Sequence, residues 1–162
     1  MILIDGKKIA AELREELKKE VSELKAKYNT VPGLTVILVG EDPASKIYVK
    51  NKEKFAKEVG MNSEALRYPA NLEEKTLLNK IEELNKDNNV SGILVQLPLP
   101  KHIDKRKVIE TIDHKKDVDG FHPTYVGNLS SGYNSSIPCT PLGCSLLLKK
   151  VEKFINLQTK KL

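Results

Sequence analysis

Residues 33–60, GLTVILVGEDPASKIYVKNKEKFAKEVG, decide how this chain folds. Residues 34–39 form an unbroken apolar run, rich in β-branched side chains and bounded by Gly33 and Gly40. A run that never alternates with polar residues predicts a strand covered on both faces, the kind found in parallel sheets. After the Gly40-Glu41-Asp42-Pro43 turn, Pro43 can open a helix and Gly60 can end it. Between them Ile47, Tyr48, Phe55, Ala56 and Val59 recur at helical spacing and predict one inward stripe. Strand, tight turn and helix make the first half of a βαβ unit.

One residue of that helix sits on the wrong side. Projected at about 100° per residue, Lys46, Lys50, Glu53, Lys54, Lys57 and Glu58 share the arc opposite the apolar stripe, as a solvated face should. Lys52 lies one turn after Tyr48, within the stripe and beside Asn51. Its stem can lie along apolar surface while the ammonium reaches water. Alternatively, partial burial lowers the pKa of such a lysine and suits it to proton transfer.

Outward from this unit the same pattern recurs. MILID at the N-terminus reads as a short strand or extended lead-in. From Asp5-Gly6, the residues Ile9, Leu13, Leu17, Val21, Leu24 and Tyr28 give a long helix an apolar stripe. Residues 61–69 predict a half-exposed strand, and Asn71 is placed to cap a helix over 72–88 with Leu77, Leu78, Ile81 and Leu84 inward. VSGILVQLPLP, residues 90–100, predicts a buried strand stopped by prolines. Its first polar side chain after the apolar run is Gln96, at the carboxyl end, where ligands bind in open α/β sheets. A glutamine there serves equally as a cap for nearby backbone.

Residues 104–112 predict a short helix, and HKKDVDGFHP follows, dense in turn formers and acids. Asp117 and Asp119 fit loop caps, and they also fit a carboxylate offered to an amino-bearing ligand. His102, His114 and His122 lack metal-ligand spacing and read as surface or local hydrogen-bonding residues. Residues 127–136 read as a Gly/Ser/Asn-rich loop, and PCTPLG at 138–143 opens a final helix. The reading is α/β, three layers α/β/α around a mainly parallel sheet.

The 162 residues can bury one substantial core. The net charge of +5 comes from lysines scattered among glutamates, and with three arginines and no tryptophan the chain has little for base stacking or bidentate phosphate contacts. Nucleic acid is not an expected partner. Cys139 and Cys144 form no CxxC pair and accompany no histidine cluster, so neither zinc nor a disulfide is indicated. No stretch approaches the roughly 20 apolar residues of a membrane span, and a cytoplasmic location is the expectation.

YVKNK at 48–52, VQLPLP at 95–100, KDVDGFHP at 116–123 and PCTPLG at 138–143 occur in an order and spacing that a known family shares, as do the DGK start and the LVGEDPAS turn. Together they resemble the bifunctional methylenetetrahydrofolate dehydrogenase/methenyltetrahydrofolate cyclohydrolase (FolD) family over roughly residues 1–150. The resemblance implies two α/β domains flanking a cleft, the first carrying folate chemistry and the second a Rossmann-like NADP domain. It implies that Lys52 acts at the one-carbon centre, Tyr48 stacks on the folate ring system, Gln96 holds the lysine and Asp119 binds the pterin's amino edge, with Val95 and Leu97 beside the substrate.

The departures set further expectations. Tyr125 stands where the family usually has asparagine, and neither a GRSxxVGxP segment nor a PGGVGPMT loop occurs in these residues. The expectation is a folate-binding catalytic domain over 1–140, and over 141–162 a helix that would lead to an NADP domain, with a basic tail. NADP belongs to the full-length family and has no site residues assigned in this chain; no metal is implied. The isolated chain is expected to act at most as a cyclohydrolase, and the alternative is a truncated, non-catalytic folate-binding module. The full-length family is a homodimer built mainly through the second domain, so a monomer is the expectation for this chain.

Overall fold

The computed structural model describes residues 3–155. Three parallel strands, β1 (Gly33–Val39), β2 (Asn62–Tyr68) and β3 (Gly92–Val95), form one sheet in the order β2-β1-β3. β1 is therefore central, and its Val36 and Ile37 have no exposed surface. The strand expected to be covered on both faces is so covered.

The two faces of β1 build two cores. Val36 and Leu38 pack with Val49 of α2 (Pro43–Glu58) and Leu94 of β3. Ile37 and Val39 point the other way, against Leu77, Ile81 and Leu84 of α3 (Glu74–Lys86) and Val108 of α4 (Lys105–Thr111). This is the expected three-layer α/β/α arrangement, and each fully buried aliphatic contributes about 1.5–3 kcal/mol of transfer free energy. β2, at the edge, alternates between exposed and half-buried residues, as its mixed sequence predicts.

Helix α1 (Gly6–Tyr28) lies against α2 instead of the sheet. Of its apolar stripe only Val21 is buried, while Leu17, Leu24 and Tyr28 are exposed. Arg14 fastens it, with its guanidinium 4.6 Å from the centre of the Phe55 ring and its Nε 3.3 Å from Glu58 Oε1. The last two helices are α5 (Pro123–Ser130) and α6 (Cys139–Ile155). The middle of α6 meets the start of α1, where Leu147 approaches Gly6.

Several expectations are corrected. Leu3, Ile4 and Asp5 are irregular, and residues 1 and 2 of the expected lead-in strand lie outside the described residues. Asn71 caps nothing: a turn in which the Leu72 N–H bonds the Pro69 carbonyl uses up that segment, so α3 starts at Glu74. Residues 127–130 of the expected loop at 127–136 are helical, because Pro123 occupies the first turn of α5 and His122 Nδ1 accepts the Thr124 N–H at 3.2 Å.

The face of α2 is also rotated from the expected one. Ser45, Val49, Ala56 and Val59 are buried, whereas Ile47, Tyr48 and Phe55 are exposed. Small residues at 45 and 56 let the helix approach the sheet, and the larger rings flank the contact. Of the tail, residues 156–162 lie outside the described residues.

Candidate functional site

The carboxyl ends of β1 and β3 open onto the same side of the sheet, and there the sequence-predicted residues converge. β1 ends at Gly40, whose φ of +94° suits a residue without a side chain. The Asp42 carboxylate then accepts the Ser45 N–H at 2.8 Å, capping α2 and holding its own pKa below the usual range. Two turns along α2 stands Lys52, half-buried, and one turn before it Tyr48, 59% exposed with its ring free for a partner.

Lys52 Nζ donates to Gln96 Oε1 at 3.1 Å. Gln96 follows β3 directly, and its backbone N–H still bonds the Ile37 carbonyl at 2.8 Å, so its position is tied to the central strand. Its Nε2 donates to the Leu97 carbonyl at 2.7 Å. With the amide hydrogen engaged there, the amide oxygen must face the lysine. Of the two sequence readings for Gln96, backbone cap and partner of Lys52, the side chain does both. For Lys52, the amide bond replaces a simple extension to water.

The two aspartates separate into two roles. Asp117, 6% exposed, spends its carboxylate on three backbone N–H groups: Asp119 and Gly120 on Oδ1 at 3.0 and 3.1 Å, and His122 on Oδ2 at 2.8 Å. Asp119 is half-buried, and among the described residues no hydrogen bond engages its carboxyl. Burial pushes its pKa up and the Asp117 charge adds to this, while the nearby Lys52 ammonium pulls it down. An unspent carboxyl at such a place has the chemistry to accept hydrogen bonds from an amino-bearing ligand.

Val95 is buried in the core and Leu97 is half-buried. Both border a crevice beside Asp119 and Phe121 of about 10 Å³, room for roughly one water. The crevice is an apolar floor, and the site above it is an open shelf formed by α2, the residues after β3 and the Asp119 loop. A larger groove of about 400 Å³, lined by Thr35, Asn62, Ser63 and Asn89, lies at the opposite ends of the strands and shares no residue with the shelf.

Two neighbours of the shelf had gone unassigned from sequence. Ser45 is buried seven residues before Lys52 on the same helix face, and its Oγ lies 3.5 Å from the Leu97 carbonyl. Its position two helical turns from the lysine was the available signal. Cys139 Sγ lies 3.5 Å from the Val118 carbonyl, and its thiol pKa is raised, first by burial and next by the Asp119 charge. It sits within the PCTPLG segment, but a lone cysteine has no spacing that points to a partner. The three histidines are local, as expected: His102 Nε2 lies 2.8 Å from the Leu72 carbonyl, and the His114 ring lies tilted to His122 and edge-on to Tyr125, each at 5.8 Å between centroids.

Residues 4–119 match the family described as tetrahydrofolate dehydrogenase/cyclohydrolase, catalytic domain. The chain belongs to this family. It is 72% identical over 161 residues to the bifunctional protein FolD of Pelagibacter ubique, covering 99% of this chain and 57% of that protein. Among solved structures, the FolD methylenetetrahydrofolate dehydrogenase/cyclohydrolase of Campylobacter jejuni superposes with a TM-score of 0.90 at 49% identity, over 94% of this chain and 54% of that one. The Trypanosoma brucei methylenetetrahydrofolate dehydrogenase-cyclohydrolase, solved with NADP and an inhibitor, gives 0.89 at 35% identity, over 92% and 51%. The chain thus spans about half the length of the curated relatives it matches. What family membership establishes is the folate one-carbon fold; the shelf of Tyr48, Lys52, Gln96 and Asp119 is where its chemistry can be sought.

Proposed function

We propose that this chain binds a reduced folate on the shelf and carries the cyclohydrolase reaction, with Lys52 as the proton-transfer group. The observation that carries this reading is the 3.1 Å bond from Lys52 Nζ to a Gln96 amide that is itself fixed in orientation. A lysine so held is positioned rather than merely solvated. In the reaction, water adds to the cationic carbon bridging the two nitrogens of 5,10-methenyltetrahydrofolate. The adding water loses one proton, a second is delivered to the ring nitrogen, the carbon–ring nitrogen bond breaks, and the hydroxyl now on that carbon releases its remaining proton to solvent to leave 10-formyltetrahydrofolate. An amine at that carbon can take the first proton and supply the second. Tyr48 offers a ring face beside the same centre, and Asp119 a carboxyl for the pterin's amino edge.

Whole relatives of this family are named as dehydrogenases also, and the resemblance implies NADP as hydride acceptor. The N-terminus of α2, the helix that follows the central strand, does not fit that group. Where α2 begins, the turn carries Glu41 and Asp42, and the Asp42 carboxylate already occupies the helix N-terminus. A pyrophosphate needs free N–H groups and no negative neighbours at such an end. No hydride step is therefore assigned to this chain's residues.

Loss of the methenyl chromophore, followed with the purified chain, tests the reading. Wild type is expected to exceed the uncatalysed rate, and Lys52→Ala to fall by about 10²–10⁴-fold with an unchanged far-ultraviolet circular dichroism spectrum. Near wild-type turnover in Lys52→Ala would refute the assignment. The alternative, a folate-binding module without turnover, predicts tetrahydrofolate binding by calorimetry and no rate above background.

A further inference from the structure

We propose that Asp117 is a positioning residue for the shelf: its carboxylate sets the loop conformation that presents Asp119 to the folate. This rests on the folate reading above. Asp117 is 6% exposed, and buried carboxylates persist only when hydrogen-bonded. Its partners are all backbone N–H groups of the loop that follows it: Asp119, Gly120 and His122. The loop therefore folds around one carboxylate, and the backbone N–H of Asp119 itself is the first group it holds.

The anchor is fixed to the body of the protein from two sides. The Asp117 backbone pairs in parallel fashion with Ile93 of β3, so the loop departs from an extension of the sheet. The preceding residue, Lys116, donates from Nζ to the Leu84 and Asp87 carbonyls, both at 2.8 Å, closing the carboxyl end of α3. Beyond the anchor, Val118 rests on Gly92, where a Cβ would come within 2.4 Å of Val118 Cγ1. Gly120 turns at φ +70° against residues 136–138, where a Cβ would stand 3.1–3.3 Å from backbone atoms. Every residue of 117–120 thus has its side chain or backbone committed, and of Asp119 only the side chain is left over. The loop is rigid at its base and leaves one carboxyl free.

A residue acting through Asp119 must be energetically coupled to it, and a double-mutant cycle reads that coupling. Tetrahydrofolate binding to the full chain is measured by calorimetry for wild type, Asp117→Ala, Asp119→Ala and the double variant. Asp117→Ala is expected to weaken binding about tenfold or more. In the Asp119→Ala background the same change is expected to add less than about twofold. Asp117→Asn keeps one acceptor oxygen and is expected to recover part of the loss; it also carries the cycle if Asp117→Ala does not unfold cooperatively. Wild-type affinity in Asp117→Ala, or an equal loss in both backgrounds, overturns the proposal. Absence of any wild-type binding instead overturns the folate reading on which it rests.

Discussion

Lys52 and Asp119 illustrate how two charges near each other are held differently. The lysine is directed by a neutral amide, Gln96, whose orientation is fixed by the Leu97 carbonyl. The carboxyl of Asp119 is directed only by its backbone, and burial raises its pKa above the ordinary 3.8. The sign of the resulting pH dependence follows from linkage. Below pH 3.8 Asp119 is protonated both folded and unfolded, and it costs nothing. As pH rises through the raised folded value, the unfolded chain ionises more readily, and stability is lost. Asp119→Asn is therefore expected to raise the melting temperature at neutral pH, with a gain that disappears in acid. Thermal unfolding of both proteins across this range checks it; a gain that persists at low pH would point to packing instead of charge. Three of the four candidate residues stood out in the sequence, as a lysine in an apolar stripe, a glutamine ending an apolar strand and an acid beside glycine, whereas Tyr48 conformed to its stripe and entered only through the family resemblance. The split between Asp117 and Asp119 was legible only through the resemblance, which singled out Asp119; turn chemistry alone treats two acids in one turn alike, since they differ in where their oxygens point.

Among the elements, β1 and α2 carry the architecture. β1 was legible because six apolar or β-branched residues in a row leave only a doubly covered strand. The facing of α2 was harder, because hydropathy weighs Tyr48 and Phe55 above Ser45 and Ala56, whereas packing against a sheet rewards the small residues that permit close approach. Close approach also governs the other end of β1. A Cβ on Gly33 would stand 2.0 Å from the Asn89 carbonyl oxygen, a backbone atom that cannot rotate away. Gly33→Ala is thus expected to separate β1 from the segment before β3 and to cost about 1–3 kcal/mol or more. Urea unfolding measures the cost, and a midpoint equal to wild type would show that the segment yields freely. Gly127 has open space around it and serves as the contrasting site, where no comparable clash is expected.

On the scale of the whole molecule, cohesion is uneven. The sheet with α2, α3 and α4 shares two continuous cores, while α1 is joined through Val21, Arg14 and the middle of α6. An exposed ion pair such as Arg14–Glu58 contributes at most about 1 kcal/mol. Amides in the second half of α1 are accordingly expected to exchange with solvent well before those of β1, which open only with global unfolding. Hydrogen exchange read by mass spectrometry tests this, and equal protection of the two elements would contradict it. The periodicity of α1 was plain in the sequence, but what it packs against was not, since an apolar stripe carries no address.

The shelf draws its residues from three stretches far apart in the chain: α2, the end of β3 and the loop after α4. On the proposed reading, a bound folate touches all three and so acts as a strut between segments that the backbone connects only through long detours. Binding energy then adds to folding energy, by about 2.7 kcal/mol when ligand stands at a hundred times its dissociation constant. The lifetime of such a chain against proteolysis becomes a gauge of folate supply.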